Sequence, residues 1–144
     1  MALEENKALF RRIPEEVWSK GDMAAADVIL SAGFVNHNPA FGNAPTRDGY
    51  KQTVLQFRQA FPDLTMTVED VIAEGDRVTL RCRVGGTHLG RFGAFPSSGR
   101  AVEFTLTATG RIDDGQVAEL WVNGDLMTLL QQLGATITPP ADPG

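Results

Sequence analysis

The chain has 144 residues and a mass of 15.6 kDa, with 42% hydrophobic and 22% charged residues, the size and balance of one globular domain around one core. Its formal net charge is -5, and its basic residues are scattered, so the clustered positive surface that nucleic acid demands is missing. The densest basic group, Arg77, Arg81 and Arg83, alternates along one strand and reads as a solvated strand face.

Other classes fall away on composition. Cys82 is the single cysteine, so no intrachain disulfide can form, and no Cys/His zinc spacing is present. No apolar run approaches the roughly 20 residues that span a bilayer, so no membrane partner is expected. The stretch Met1-Ala2-Leu3-Glu4-Glu5-Asn6-Lys7 is acidic and helical, unlike an export signal, and a cytoplasmic protein is expected. The two histidines, His37 and His88, have neither HxH nor HxxxH spacing, and no metal is expected. Without a GxGxxG, a P-loop or a GxSxG elbow, nucleotide cofactors and serine hydrolysis lack support.

Leu9, Phe10, Ile13 and Val17 recur at three- and four-residue steps and predict an amphipathic helix, which Pro14 kinks or splits. Asp22 caps a second helix that runs to Leu30 and stops at Gly33. Phe34 to Pro39 reads as a short strand closed by a turn, and Phe41 to Pro45 as a loop. Thr46 caps a third helix with Tyr50, Val54, Phe57 and Phe61 on its apolar face, ended by Pro62.

The remainder reads as strand. Leu64, Met66 and Val68 alternate, slip at Glu69-Asp70 and resume at Val71 and Ala73, the mark of a β-bulge. Val78, Leu80, Cys82, Val84, Gly86 and His88 share an inward face. After the crossover from Leu89 to Gly99, Val102, Phe104, Leu106, Ala108, Gly110 and Ile112 share another. Asp113-Asp114-Gly115 forms a hairpin turn. In the last strand Val117, Glu119, Trp121, Asn123 and Asp125 are expected on the inward face. A final helix presents Leu126, Leu129, Leu130 and Leu133, and Thr136 to Gly144 forms a tail. Helices followed by a meander predict an α+β fold, with a strongly curved, mostly antiparallel sheet and N-terminal helices closing an apolar pocket. A single domain is expected over residues 1–135.

Polar residues on inward faces are the candidate site. Asp125 either caps the final helix or acts as a desolvated general base, and one carboxylate can do both. His37 can hydrogen-bond a ketone or enolate oxygen, with Asn36 beside it, or simply close a turn. His88 reads as an inward group at the pocket mouth or as a rim histidine, and Trp121 as core or substrate platform. Glu119 is expected to pair with an arginine. The outer face, with Thr79, Thr105, Thr107 and Thr109, suits self-association, and a homodimer is expected.

One family matches these residues. Gly86-Thr87-His88-Leu89-Gly90, Gly93, Ser98-Gly99-Arg100, Asp114-Gly115, Glu119-Leu120-Trp121 with Asp125 four residues on, and Leu130-Gln131-Gln132-Leu133-Gly134 resemble the SnoaL-like polyketide cyclases, or ester cyclases. Val17-Trp18, Gly21-Asp22, Asn36-His37-Asn38-Pro39 and Ala60-Phe61-Pro62-Asp63 are similar to the same group, so the resemblance covers nearly the whole chain.

The resemblance implies the cone-shaped α+β barrel of the nuclear-transport-factor-like superfamily, dimeric or tetrameric through the sheet. It also implies cofactor-independent ring closure of a polyketide by intramolecular aldol condensation. Asp125 would move the proton and polar pocket groups would hold the enolate oxygen. Ala108 stands where characterised cyclases carry a pocket histidine, and Phe95-Pro96 followed by Ser97-Ser98 replaces the usual proline pair, which points to a changed substrate or reaction. The expected activity is a cyclase or isomerase for an apolar, polyketide-like carbonyl compound. The alternatives are a cofactor-free monooxygenase of an aromatic polyketide and a non-catalytic small-molecule-binding module.

Overall fold

The computed structural model describes residues 2–142. Met1 of the expected first helix, and residues 143 and 144 of the expected tail, lie outside the described residues. Helix α1 (Ala2–Arg12) runs directly into a π-helical segment, Ile13–Trp18. Pro14 has no N–H to give and its ring crowds the preceding turn, so the chain widens there instead of continuing as an α-helix. Helix α2 (Met23–Ile29) starts where expected, with the Asp22 carboxylate accepting from the Ala25 amide at 3.0 Å. It ends earlier than expected. Leu30 already belongs to strand β1 (Leu30–Asn36), paired parallel to the last strand through Leu30 and Val117, and Gly33 sits inside that strand.

Thr46 caps helix α3 (Arg47–Ala60) through the Gly49 amide. Strands β2 (Thr65–Glu74), β3 (Arg77–Thr87), β4 (Ala101–Asp113) and β5 (Gln116–Gly124) follow, and helix α4 (Leu126–Gln132) closes the fold. Residues 135–142 form no helix or strand.

The strands make one five-stranded sheet in the order β1-β5-β4-β3-β2, antiparallel except for β1 against β5. The sheet curves but does not close, leaving β1 and β2 as its edges. The expected bulge is present in β2: Val68 pairs with Cys82 and Asp70 with Arg81, so Glu69 is the extra residue. Met66, Val78, Leu80, Cys82, Val84, Val102, Phe104 and Ile112 turn inward, as their alternation requires. Opposite them, Arg81 pairs with Asp70 and Arg83 with Glu69 on the outer face.

The helices lie over the concave side, α1 and the π-helical segment against β2, and α3 against β1. Toward the end of β4, Gly110 lets the Phe10 ring lie directly on the strand. A Cβ at that position would stand 2.6 Å from the ring, and Phe10 is buried with little room to move. Gly110→Ala should therefore destabilise the fold by about 1–3 kcal/mol, the usual cost of overpacking a filled core. Chemical denaturation should show a lower midpoint with an unchanged slope.

Candidate functional site

Between the concave sheet and the helices lies a cavity of about 620 Å³. This is well within the range that holds a drug-sized molecule. Its wall is largely apolar. Phe10, Phe41, Phe57, Phe92 and Phe104 supply aromatic surface, and Met66, Leu80, Val84, Leu106 and Ala108 line the sheet side. Leu126 and Leu130 bring α4 to the same cavity. Phe41 holds a left-handed backbone conformation (φ 57) and packs its ring edge-on to Phe92 and tilted against Phe57, joining two loops over α3.

The polar groups on the wall are few. Asn36, Asn38, Tyr50 and Thr53 belong to or follow β1 and the first half of α3. The Tyr50 hydroxyl oxygen accepts a hydrogen bond from the Trp18 indole Nε1–H at 2.7 Å. Burial pushes the Tyr50 pKa well above its ordinary value, and the Trp18 bond opposes that rise. Thr53 is bonded within the protein: its hydroxyl donates to the Gly49 carbonyl and accepts from the Asn43 amide. Cys82 also lines the cavity, where burial raises its thiol pKa to about 11. No histidine, carboxylate, lysine or arginine is among the described residues of the wall.

The structure places Asn36 on the wall, buried, as the sequence suggests, and adds Asn38, Tyr50 and Trp18. It does not bring the other candidates there. The reason is in β5. Arg111 pairs with Glu119 while the next residue, Ile112, pairs with Val117, so Ala118 is an extra residue that reverses the strand's faces. Val117, Leu120, Val122 and Gly124 therefore turn inward, and Glu119, Trp121, Asn123 and Asp125 turn outward.

The inward placement expected for Trp121 and Asp125 is thus corrected. Trp121 lies on the outer face, stacked on the His37 ring at 4.6 Å with Arg77 4.9 Å from its centre. His37 likewise leaves the cavity, and its Nε2 meets Glu119 at 3.1 Å. Glu119 binds Arg111 as well, which is the arginine partner expected for it, and the two bonds lower its pKa, Arg111 first and His37 second.

Asp125 is exposed and faces a shallow groove with Arg81, Thr105, Thr107 and Asn123. Its carboxylate accepts from the Thr128 hydroxyl at 2.6 Å and from the Thr128 amide at 3.1 Å, so it caps α4. These two bonds, the hydroxyl first, lower its pKa. His88 is corrected too. It is fully buried against Phe61 but does not line the cavity, and its Nδ1 pairs with Ser98 Oγ at 2.9 Å. With its backbone bonded to Ser98, Gly99 and Arg100, it ties the crossover loop down. Among the described residues no cluster of His, Cys, Asp and Glu could hold a metal ion, and no helix is long and apolar enough to cross a membrane.

A curved open sheet, helices over its concave side and an apolar cavity with a few polar groups define a small-molecule-binding α+β domain. The family profile of the SnoaL-like polyketide cyclases matches residues 8–133, and the chain belongs to that family. Among solved structures it is similar to TsrD from Streptomyces laurentii, with a TM-score of 0.83 and 27% identity, covering 92% of this chain and 97% of that one. It is also similar to IdmH, a proposed polyketide cyclase from Streptomyces antibioticus (TM-score 0.79, 30% identity, 90% and 99% covered). AclR, a proposed hydroxylase from Streptomyces galilaeus, is alike to the same degree (TM-score 0.82, 30% identity, 92% and 97% covered). A search of the curated proteins gives no match.

The geometry of Asp125 carries a signed pH dependence. Its lowered pKa means that it contributes stability above the ordinary aspartate value, about 3.9, and loses that contribution as pH falls through the lower folded value. Melting temperatures followed from pH 7 to pH 3 should fall less steeply in Asp125→Asn than in the unmodified chain.

Proposed function

We propose that the chain is a cofactor-independent cyclase or isomerase that binds an apolar, polyketide-like carbonyl compound and closes a ring by an intramolecular aldol-type reaction. In that step a carbon beside a carbonyl loses a proton and its enolate carbon bonds to a second carbonyl carbon of the same molecule. The oxygen of that second carbonyl then takes up a proton. The observation that carries this reading is the state of Tyr50. Trp18 bonds its oxygen from behind, so the hydroxyl hydrogen is free for a ligand oxygen in a largely apolar cavity. Asn36 shares that wall and can hold the same or a neighbouring oxygen.

The rest of the cavity acts by shape. An apolar wall that holds a flexible chain folded brings the two reacting carbons together, a contribution that can be large. Asp125 enters this reading as the cap of α4 and not as the base, because its carboxylate lies on the outer face and its pKa is lowered. The carbon proton leaves to water or to a basic oxygen of the substrate. His37, His88 and Trp121 act as supports of the wall. The likeness to AclR, a proposed hydroxylase, favours a cofactor-free monooxygenase as the second reading. Ring closure consumes no dioxygen and hydroxylation does, so an oxygen electrode separates the two.

Tyr50→Phe should lower turnover by roughly tenfold to a thousandfold, as expected for one oxygen-holding donor that acts in the transition state. Asp125→Asn should change turnover by less than about threefold. A hundredfold fall in that variant with unchanged melting would make Asp125 the general base after all.

The outer face of the sheet supports a homodimer. Ile72 is 67% exposed there, beside the bonded pair Thr79 and Thr109 and the half-buried Trp121. Sedimentation at micromolar concentration should show a species of twice the 15.6 kDa chain mass, lost on Ile72→Lys. A single 15.6 kDa species in the unmodified chain would contradict the dimer.

A further inference from the structure

The polar wall groups share a property that narrows the ligand. The Asn36 side-chain oxygen accepts from the backbone N–H of Asn38 at 3.0 Å, and the Asn38 side-chain oxygen accepts from the backbone N–H of Val122 at 2.7 Å. A backbone N–H can only donate, so each amide is locked with its oxygen toward the backbone and its NH₂ on the other side. Among the described residues neither NH₂ has a hydrogen-bond partner, and both residues line the cavity. Tyr50 is locked in the same sense, because the indole N–H of Trp18 is also a pure donor and fills its oxygen. Thr53 has both its donor and its acceptor engaged within the protein. Three side chains thus face the cavity with hydrogens to give, and each has an oxygen that already accepts a bond within the protein.

We propose that this cavity selects ligands whose oxygen there is acceptor-only, a ketone, quinone or enolate, over the same skeleton bearing a hydroxyl. The proposal rests on the reading of the cavity as the substrate site and sharpens it. A ketone oxygen regains from Tyr50, Asn36 or Asn38 the hydrogen bonds it loses from water. A hydroxyl can accept one too, but among the described residues every side-chain oxygen of Asn36, Asn38, Tyr50 and Thr53 already accepts a bond within the protein. Its own hydrogen must therefore compete for an acceptor, and an unpaired buried donor is costly. The same donors, all neutral, suit an oxygen that gains negative charge as an enolate forms. A product whose carbonyl has become an alcohol is held less well, which favours its release.

The test uses three tricyclic compounds of one shape: 9-fluorenone, 9-fluorenol and fluorene. Dissociation constants by calorimetry should favour fluorenone over fluorenol by about tenfold or more, from the usual cost of one unpaired buried donor. Tyr50→Phe and Asn36→Ala should each shrink that ratio while changing fluorene binding by less than about threefold. Two variants are used so that a folding defect in one leaves the other to decide. Equal binding of ketone and alcohol, or a ratio unchanged in both folded variants, overturns the proposal. In that case fluorene binding keeps the cavity as a small-molecule site. If none of the three binds, the reading of the cavity as substrate site falls, and this proposal with it.

Discussion

Strand β5 carries one residue more than β4 opposite it, and the side chains on its two faces exchange places at Ala118. That exchange decides which side chains of β5 reach the cavity. Leu120, Val122 and Gly124 form the inward surface, while Glu119, Trp121 and Asp125 are carried to the outer face. Strand β1 pairs with β5 and inherits its register, so Asn36 sits opposite Leu120 and faces the cavity while His37 faces away. The outer face then becomes the charged one. His37, Glu119 and Arg111 form a bonded chain there, with Trp121 between His37 and Arg77. Among the described residues the polar groups left on the cavity wall are neutral. A single inserted residue thus keeps the charged side chains of β5 out of the cavity.

Much of the fold was legible because it is written in local rules. The caps at Asp22 and Thr46, the break at Pro14, the bulge at Glu69 and the alternation of β3 and β4 each have a short-range cause in the chain. The bulge in β5 has none, since alanine carries no signature of an extra residue. Val117 is inward and sets the phase. Counting in twos from it puts Glu119, Trp121 and Asp125 inward, the face the structure denies them. The composition held a counter-signal, because Leu120 and Val122 are apolar while Glu119, Asn123 and Asp125 are not. Polarity over those five positions outweighs the phase of one residue. The Asp125 cap was legible for the same local reason as the others, and the structure shows Asp125 in that role.

The polar end of the cavity was less legible. Asn36 could be singled out beside His37 and Asn38, but Tyr50 reads from sequence as one more member of an apolar helix face. Its meaning comes from Trp18, 32 positions earlier, and no local pattern couples the two. That bond joins the π-helical segment to α3 across the cavity wall. The Trp18 ring also stands edge-on to Tyr50 and Phe57, so the indole is held by packing as well as by its hydrogen bond. Pro14 contributes at one remove, since the widened turn it imposes is the segment that ends in Trp18. A turn widened at a proline and a long-range bond to a tyrosine together prepare one donor in an apolar space.

The central claim is that Tyr50, held from behind by Trp18, gives its hydrogen to a ligand oxygen inside the cavity. The carbonyl stretch of bound 9-fluorenone, followed by infrared difference spectroscopy, reads that bond directly. The account predicts a band lower in frequency than in an apolar solvent, moving back toward the solvent value in Tyr50→Phe. A bound ketone whose band sits at the apolar-solvent frequency, or is unmoved by Tyr50→Phe, would contradict it.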